Sequence, residues 1–439
     1  MGEEQSPSGR RRAPREGDEA PAGGTLRAPV GMHDVLWPES ERWETLVALF
    51  ARHARLAGYG LLITPVLEDT GLFRRAVGDE SEVVGKEMYE LTDRGGRTLA
   101  LRPEGTAPVV RAFVQHRPSL PWKVWYATPA FRYERPQAGR YRQHHQLGVE
   151  ALGSDDPGLD VEVISLAAGF YAGLGLRRID LSVNSMGCQA DRARYTSALR
   201  DYLASHADEL CDEHRKSFTL SPLRVLDCKR PQCRSVTEGA PKIVDYLDEE
   251  CAGHLASVRG GLDALGIPYR LEPRLVRGLD YYTRTTFEFA ASALESAQNA
   301  VGGGGRYDGL AEAIGGPSTP GIGFGIGIER LLLACDAEGC FDAAHSVPDV
   351  FVVDGTGGGA ARDLSAELRA AGLAAVRGFD DRSLKAQLKL ADRSGARYAV
   401  IVGARELEEG TVTLRSLGEG RQTTVPREQL VAWLRGEAP

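Results

Sequence analysis

What this chain is short of narrows it first. Nowhere does an apolar run approach the ~20 residues that a membrane-spanning helix needs. Its opening stretch, MGEEQSPSGRRRAPREGDEAPAGG, holds charges, Pro and Gly but no apolar segment. Neither a membrane partner nor a secretory signal is expected, and residues 1–28 read as a disordered tail. The run Arg10–Arg12 inside it has acidic neighbours and reads as a solvated segment. Cysteine is scarce and odd in number, seven in 439 residues, which predicts a reducing cytoplasmic setting without a disulfide framework. Four of the seven, Cys211, Cys228, Cys233 and Cys251, fall within 41 residues. Their one close pair, CKRPQC, has four residues between and lacks the tight second pair of a zinc ribbon. They read as buried or idle thiols, and no metal site is expected.

Positive charge is also in deficit. Lys and Arg number 53 against 61 Asp and Glu, a net charge of −8, which excludes a protein coated in basic surface. Local basic patches remain open, because phosphate binding depends on where Lys and Arg cluster. Residues 345–439 hold 13 basic and 13 acidic side chains, so the acidic excess lies in residues 1–344.

What is present divides the chain. Its length predicts two or three domains. Trp43, Leu46, Val47, Phe50 and Ala54 recur at helical spacing, ending at Gly58 and Gly60. LLITPVLE then reads as a strand whose Pro65 suits an edge or an interface. WKVWYATPAFRY (122–133) and HHQLGVEAL (144–152) read as strands around the arginine-rich hairpin loop ERPQAGRYRQ. A helix (160–175) and a strand (179–185) follow. Residues 188–265 turn helical and carry most of the cysteines, so they read as a helical insertion. Residues 345–439 alternate strand and helix and read as a small α/β domain. GTGGGA (355–360) within it lacks the Lys-Ser/Thr ending of a phosphate loop and reads as a strand-to-helix turn.

Five stretches carry chemistry. In FRYERPQAGRYRQHHQLGVE (131–150), Arg132 ends a strand, and Arg135, Arg140 and Arg142 follow in the loop. Guanidinium groups there suit phosphates, offering planar bidentate donation and permanent charge. Gln146, Gly148 and Glu150 share one face of the returning strand, a polar floor beside that loop. In GIGFGIGIERLLLAC (321–335), glycine at every second position strips one face of a strand while Ile322, Phe324, Ile326 and Ile328 pack the other. Such a row weakens a strand, and usually marks the close approach of a ligand or another backbone. Arg330 then falls in the first turn of a helix, where the dipole disfavours a cation without an anionic partner. VGGGGRYDGL (301–310) reads either as a backbone shaped for a ligand, with Tyr307 as a wall, or as a tight turn between strands. LRPEGTAPVVRAF (101–113) sets Glu104 and Thr106 around a glycine before a helix, where a carboxylate could hold an ammonium group. Just before another strand, LVRGLDYY crowds Arg277, Gly278, Asp280, Tyr281 and Tyr282 together.

Together these stretches resemble the histidine–tRNA ligase family of class II aminoacyl-tRNA synthetases, over about residues 29–435. The Pro65 strand resembles motif 1 of the class, FRYE with its loop motif 2, and GIGFGIGIERL motif 3. RGLDYY and GGRYDGL look like two histidine-specific signatures. The resemblance implies that L-histidine and Mg-ATP give histidyl-adenylate and pyrophosphate, and that the histidyl group then passes to histidine tRNA, releasing AMP. No tightly bound organic cofactor is implied. It further implies a cytoplasmic homodimer of mixed α/β class. The expected parts are a catalytic domain on an antiparallel sheet (29–187 and 266–344), a tRNA-contacting helical insertion (188–265) and an anticodon-binding α/β domain (345–439). Carried over by position, Arg132 and Arg277 are the implied catalytic residues: Arg132 at the α-phosphate, Arg277 bridging it to the substrate carboxylate. Glu134 and Arg330 would complete the ATP site. Glu104, Thr106, Gln146, Glu150, Tyr281, Tyr282 and Tyr307 would hold histidine. A catalytically silent relative, the regulatory subunit of ATP phosphoribosyltransferase, is the rival resemblance, and would be expected to lose both signatures and the C-terminal domain.

Overall fold

The computed structural model describes residues 26–78, 81, 83–294, 299–342, 346–379 and 382–436; the Arg10–Arg12 run and almost all of the expected tail lie outside them. Two compact units are formed, Met1–Asp342 and Ala343–Pro439.

Helix α1 (Glu39–Leu56) buries Leu46, Phe50, Ala51 and Ala54 on one side, as the spacing predicts. The strand expected through Pro65 does not form. Strand β1 (Gly60–Leu61) ends before it and β2 (Leu67–Asp69) begins after it. Proline brings no N–H to a ladder. The Thr64 and Pro65 carbonyls instead accept from the buried Arg102 guanidinium at 3.0 and 3.1 Å. After α2 (Thr70–Val77), strands β3 (Tyr89–Thr92) and β4 (Thr98–Leu101) complete a three-stranded sheet in the order β2-β4-β3. Helix α3 (Thr106–His116) follows directly.

The principal sheet is built around a long hairpin, β5 (Trp122–Phe131) and β6 (Gln143–Leu152). Helix α4 (Pro157–Gly173), capped by Asp156, leads to β7 (Ile179–Ser185). Then come α5 (Gln189–Ser205), three short helices α6 (Asp212–Ser217), α7 (Leu223–Leu226) and α8 (Pro231–Glu238), and α9 (Glu249–Ala264). Strands β8 (Arg270–Leu271), β9 (Thr283–Ala291), β10 (Ala300–Arg306) and β11 (Gly321–Gly327) complete the sheet, with α10 (Leu310–Ala313) between the last two and α11 (Ile328–Glu338) after them. Eight strands lie in the order β1-β5-β6-β11-β10-β9-β7-β8, antiparallel except at the two edge pairs.

Side-chain alternation gives this sheet two unlike faces. Trp125, Leu147, Val149, Phe287, Phe324 and Ile326 pack one face against Phe50 of α1, Phe170 of α4 and Leu255, Val258 and Leu262 of α9. Burying each large apolar side chain contributes about 1.5–3 kcal/mol, so this layer holds the opposite face rigid. That opposite face carries Tyr126, Gln146, Gly148, Glu150, Gly303, Gly323, Gly325 and Glu288, as the register dictates. VGGGGRYDGL is thus not a turn: its glycines run along a central strand, β10, paired on both sides. Buried Arg306 anchors the end of that strand through the carboxylate of Asp160 (2.5 and 2.8 Å), itself fully buried.

The second unit holds β12 (Val350–Asp354), α12 (Gly359–Ala370), β13 (Ala375–Arg377), α13 (Leu384–Arg393), β14 (Tyr398–Val402), α14 (Ala404–Glu409), the hairpin β15 (Thr411–Ser416) and β16 (Gln422–Pro426), and α15 (Leu430–Leu434). Its sheet runs β13-β12-β14-β15-β16, with the first three strands parallel. GTGGGA is the expected turn into a helix, where Asp354 accepts from the Thr356 and Ala361 backbone N–H groups.

Candidate active site

The polar face of the principal sheet floors a cavity of about 1020 Å3. Arg132, Glu134, Gln146, Arg277 and Arg330 all line it, so the structure brings these five expected residues together. Gly325 and Gly327 of the glycine row form part of its floor. A Cβ on Gly327 would meet nothing within 4 Å, and one on Gly325 would make ordinary contact with the Gln146 amide at 3.6 Å and the Tyr126 hydroxyl at 4.0 Å. The Gln146 Oε1 atom is buried without a hydrogen-bond partner, an orphan acceptor at the cavity wall.

The guanidinium groups are held from behind. Arg132 Nε donates to the Pro103 carbonyl at 2.9 Å, and Arg330 donates to the Ala300 carbonyl at 2.8 Å. Arg277 pairs with Glu288, a residue that the sequence reading passed over, at 2.7 Å. A Cβ on Gly303 would stand 2.7 Å from the Arg277 guanidinium, so that glycine makes room for it. Glu134 contacts the Arg140 guanidinium, and Glu329 accepts from the His145 backbone N–H at 3.0 Å. His144, which also lines the cavity, is driven down to about 3 by burial and by the positive field of Arg132 and its neighbours. A neutral imidazole among guanidinium groups describes a space made for an anion.

The remaining expected residues form a closed cluster on the same sheet face, centred on Glu150. Its carboxyl accepts from Tyr307 Oη at 2.6 Å, Thr106 Oγ1 at 2.7 Å and Tyr126 Oη at 3.2 Å. Tyr126 is the member that sequence reasoning missed. Its signal was Gly148, directly opposite in the ladder, where a Cβ would stand 2.3 Å from the phenol ring. Full burial raises Glu150 to about 8 although those hydroxyls favour its charge. Glu104 is also raised by burial, and its two oxygens accept from the Thr106 and Ala107 backbone N–H groups at 2.6 and 2.7 Å, capping α3. Tyr281 packs at ring-centroid distances of 4.8 Å from Tyr282 and 5.9 Å from Tyr307, with its hydroxyl 3.5 Å from Glu104. Burial pushes all three phenols up, so they act as neutral hydrogen-bonding groups.

The four cysteines grouped by sequence separate in space. Cys211, Cys228 and Cys233 converge with His214, which sequence reading had not included, whereas Cys251 lies with Cys188, Asp191 and Asp248.

Known proteins agree with this architecture. The family model for histidyl-tRNA synthetase matches residues 31–331, and that for an anticodon binding domain matches residues 350–437. A histidine–tRNA ligase of Desulforudis audaxviator is 50% identical over 417 residues, covering 94% of this chain and 99% of its own. One from Rhodococcus erythropolis is 49% identical over 412 residues, covering 93% and 97%. The apo histidyl-tRNA synthetase of S. aureus superposes with a TM-score of 0.79 at 35% identity, over 94% of this chain and all of that one. With both family regions matched in order and the sheet face assembled as described, this chain belongs to the histidyl-tRNA synthetase family, within the class II aminoacyl-tRNA synthetases.

Proposed function

We propose that this protein charges histidine tRNA in two steps on the polar face of its principal sheet. In the first, an oxygen of the L-histidine carboxylate attacks the α-phosphorus of ATP. The bond from that phosphorus to the bridging oxygen breaks, giving histidyl-adenylate and pyrophosphate. In the second, a hydroxyl of the terminal adenosine of the tRNA attacks the histidyl carbonyl, and AMP leaves. The observation that carries this reading is adjacency. A guanidinium-lined cavity adjoins a buried carboxyl–phenol cluster on one face, with Gln146 of the cavity wall four residues along the strand from Glu150.

Arg132 would bind the α-phosphate, with Glu134 near the adenine and Arg330 at the γ-phosphate end. Arg277 would bridge the attacking carboxylate and the α-phosphate. Held by Glu288 and seated over Gly303, it meets the developing charge without reorganising, which is where preorganised electrostatics matters most. Mg2+ would enter with ATP as part of the substrate and would neutralise phosphate charge, and the carboxylates lining the cavity are the oxygen donors such an ion takes.

Histidine would place its ammonium group at Glu104 and Thr106 and its ring among Gln146, Glu150, Tyr281, Tyr282 and Tyr307. An imidazole both donates and accepts hydrogen bonds, and an analogue without ring nitrogens would leave these buried groups unpaired. Such a mismatch discriminates by about 10⁴–10⁵. The second unit would read the anticodon. A cytoplasmic homodimer fits the free thiols and the apolar surface around Pro65, where Ile63 is 83% and Leu61 52% exposed.

ATP–pyrophosphate exchange with purified protein, run with each of the twenty amino acids, tests the reading. Exchange is expected with histidine alone and is expected to vanish in Arg277→Ala. Silence with all twenty, together with measurable histidine binding, would replace the ligase by a histidine sensor.

A further inference from the structure

Between α5 and α9 the chain threads three short helices of 6, 4 and 8 residues, α6 to α8. Helices of this length do not hold themselves together in water. Where they meet, four soft donors converge: Cys211, His214, Cys228 and Cys233, with all four ligand atoms within 4.8 Å of one another. Cys211 sits at the N-cap of α6 and His214 one turn in, so the C-x2-H spacing turns both toward one point. Cys233 lies in the first turn of α8, and its sulfur is 3.4 Å from the Cys211 backbone nitrogen. Cys228 comes from the turn between α7 and α8.

The distances fit one ion. Zn–S bonds of about 2.3 Å and Zn–N bonds of about 2.0–2.1 Å at tetrahedral angles put sulfurs about 3.8 Å apart and sulfur about 3.6 Å from nitrogen. His214 Nδ1 lies 3.3 Å from Cys211 Sγ and 3.7 Å from Cys233 Sγ. Three thiolates and an imidazole select Zn2+ and reject Mg2+ or Ca2+, which want oxygen. We infer that Cys211, His214, Cys228 and Cys233 form a structural zinc site that staples α6, α7 and α8 together, contrary to the expectation of idle thiols drawn from spacing alone.

The neighbouring group of four does not compete with this assignment. In it Asp248 caps α9 through the Cys251 N–H at 2.8 Å. Asp191 accepts from the Cys188 and Asp248 N–H groups and from Arg194. Those carboxylates are occupied as helix caps. The Cys211 group has no such task, and its place has a consequence. Asp227, Cys228, Lys229 and Arg234 also line the large cavity, so the staple would fix part of the wall of the proposed ATP site.

The test is metal content. Full-length protein purified without chelator and measured by elemental analysis is expected to hold about one zinc per chain. Cobalt substitution is expected to give the visible bands of a tetrahedral thiolate site. Cys228→Ala and His214→Ala, at the less buried ligands, should each lower zinc retention at least tenfold, while Cys188→Ala and Cys251→Ala should leave it unchanged. Chelation should release the ion and increase proteolysis within residues 207–240. A protein that neither carries nor takes up zinc, and gives no cobalt bands, would overturn the assignment. So would zinc that survives both Cys228→Ala and His214→Ala, or a Cys211–Cys233 disulfide under reducing purification. None of these outcomes depends on the ligase reading.

Discussion

Replacing Gly323 by alanine would place a methyl carbon 1.8 Å from Glu150 Oε2 and 2.4 Å from the Val149 carbonyl oxygen. Neither neighbour can retreat cheaply: one is backbone in a paired strand, the other a carboxyl held by three hydroxyls. Overpacking of this kind costs about 1–3 kcal/mol, and losing one hydroxyl bond to this protonated carboxyl adds about 0.5–1.5 kcal/mol. Gly323→Ala should therefore cost about 1.5–4.5 kcal/mol and abolish histidine-dependent exchange. Gly327, four residues along the same row, is the control. Its backbone (φ −81°, ψ 117°) suits any residue, and an added Cβ meets nothing within 4 Å. Alanine there gains about 0.4–1 kcal/mol of chain entropy and loses a comparable amount at a helix N-cap, where glycine outranks alanine. Gly327→Ala should fold normally yet raise the KM for ATP, because its methyl rises from the cavity floor. Urea unfolding followed by tryptophan fluorescence separates the cases, since Trp43, Trp122 and Trp125 report the catalytic unit. Equal urea midpoints for the two variants, with normal exchange by Gly323→Ala, would refute this account of the glycine row.

Arg306→Ala leaves the fully buried Asp160 carboxylate with His254, at 3.1 Å, in place of its arginine, so it should destabilise the first unit by about 3 kcal/mol while touching no expected substrate contact; urea midpoints measure this. Glu150 is raised to about 8 in the fold against an ordinary value of 4.5. The native state then keeps a proton that the unfolded chain releases. That stability is fully present below about pH 4.5 and is lost as pH rises through about 8. Glu150→Gln removes the effect, so stability of the variant relative to the parent should grow by a few kcal/mol, about 3–5, from pH 4.5 to pH 9. A pH-independent difference between the two unfolding curves would deny Glu150 its raised value. The proposed dimer should sediment as a monomer, with exchange lowered, when Ile63→Asp is made in the exposed apolar stretch beside Pro65. A dimer that survives this change would place the interface elsewhere.

Much of the fold was legible where period and punctuation agree. The α1 spacing, the β5–β6 hairpin with its arginine loop and the alternation in the second unit all carry their signal within a few residues. Local signals failed where a neighbour in space decides. VGGGGRYDGL left a tight turn open beside the ligand-shaped backbone, because glycine disfavours strands. Yet a Cβ at Gly304 would stand 1.9 Å from the Gly323 carbonyl, so the close contact of β10 and β11 requires the glycine. The row in β11 was legible as a face cleared of side chains, but only half of it is cleared for a ligand. Gly321 and Gly323 make room for Tyr307 and Glu150 of the protein itself, and Gly325 and Gly327 floor the cavity. No window of sequence holds that distinction, since the occupants stand on β6 and just after β10. The partners missed in the candidate site have the same origin. Tyr126 reaches Glu150 from the neighbouring strand, and Glu288 meets Arg277 across the sheet face. His214 joins Cys211 through one helical turn but needs Cys228 and Cys233 to acquire meaning. Residue types announce which chemistry a chain can perform, whereas the strand register decides which of them perform it together.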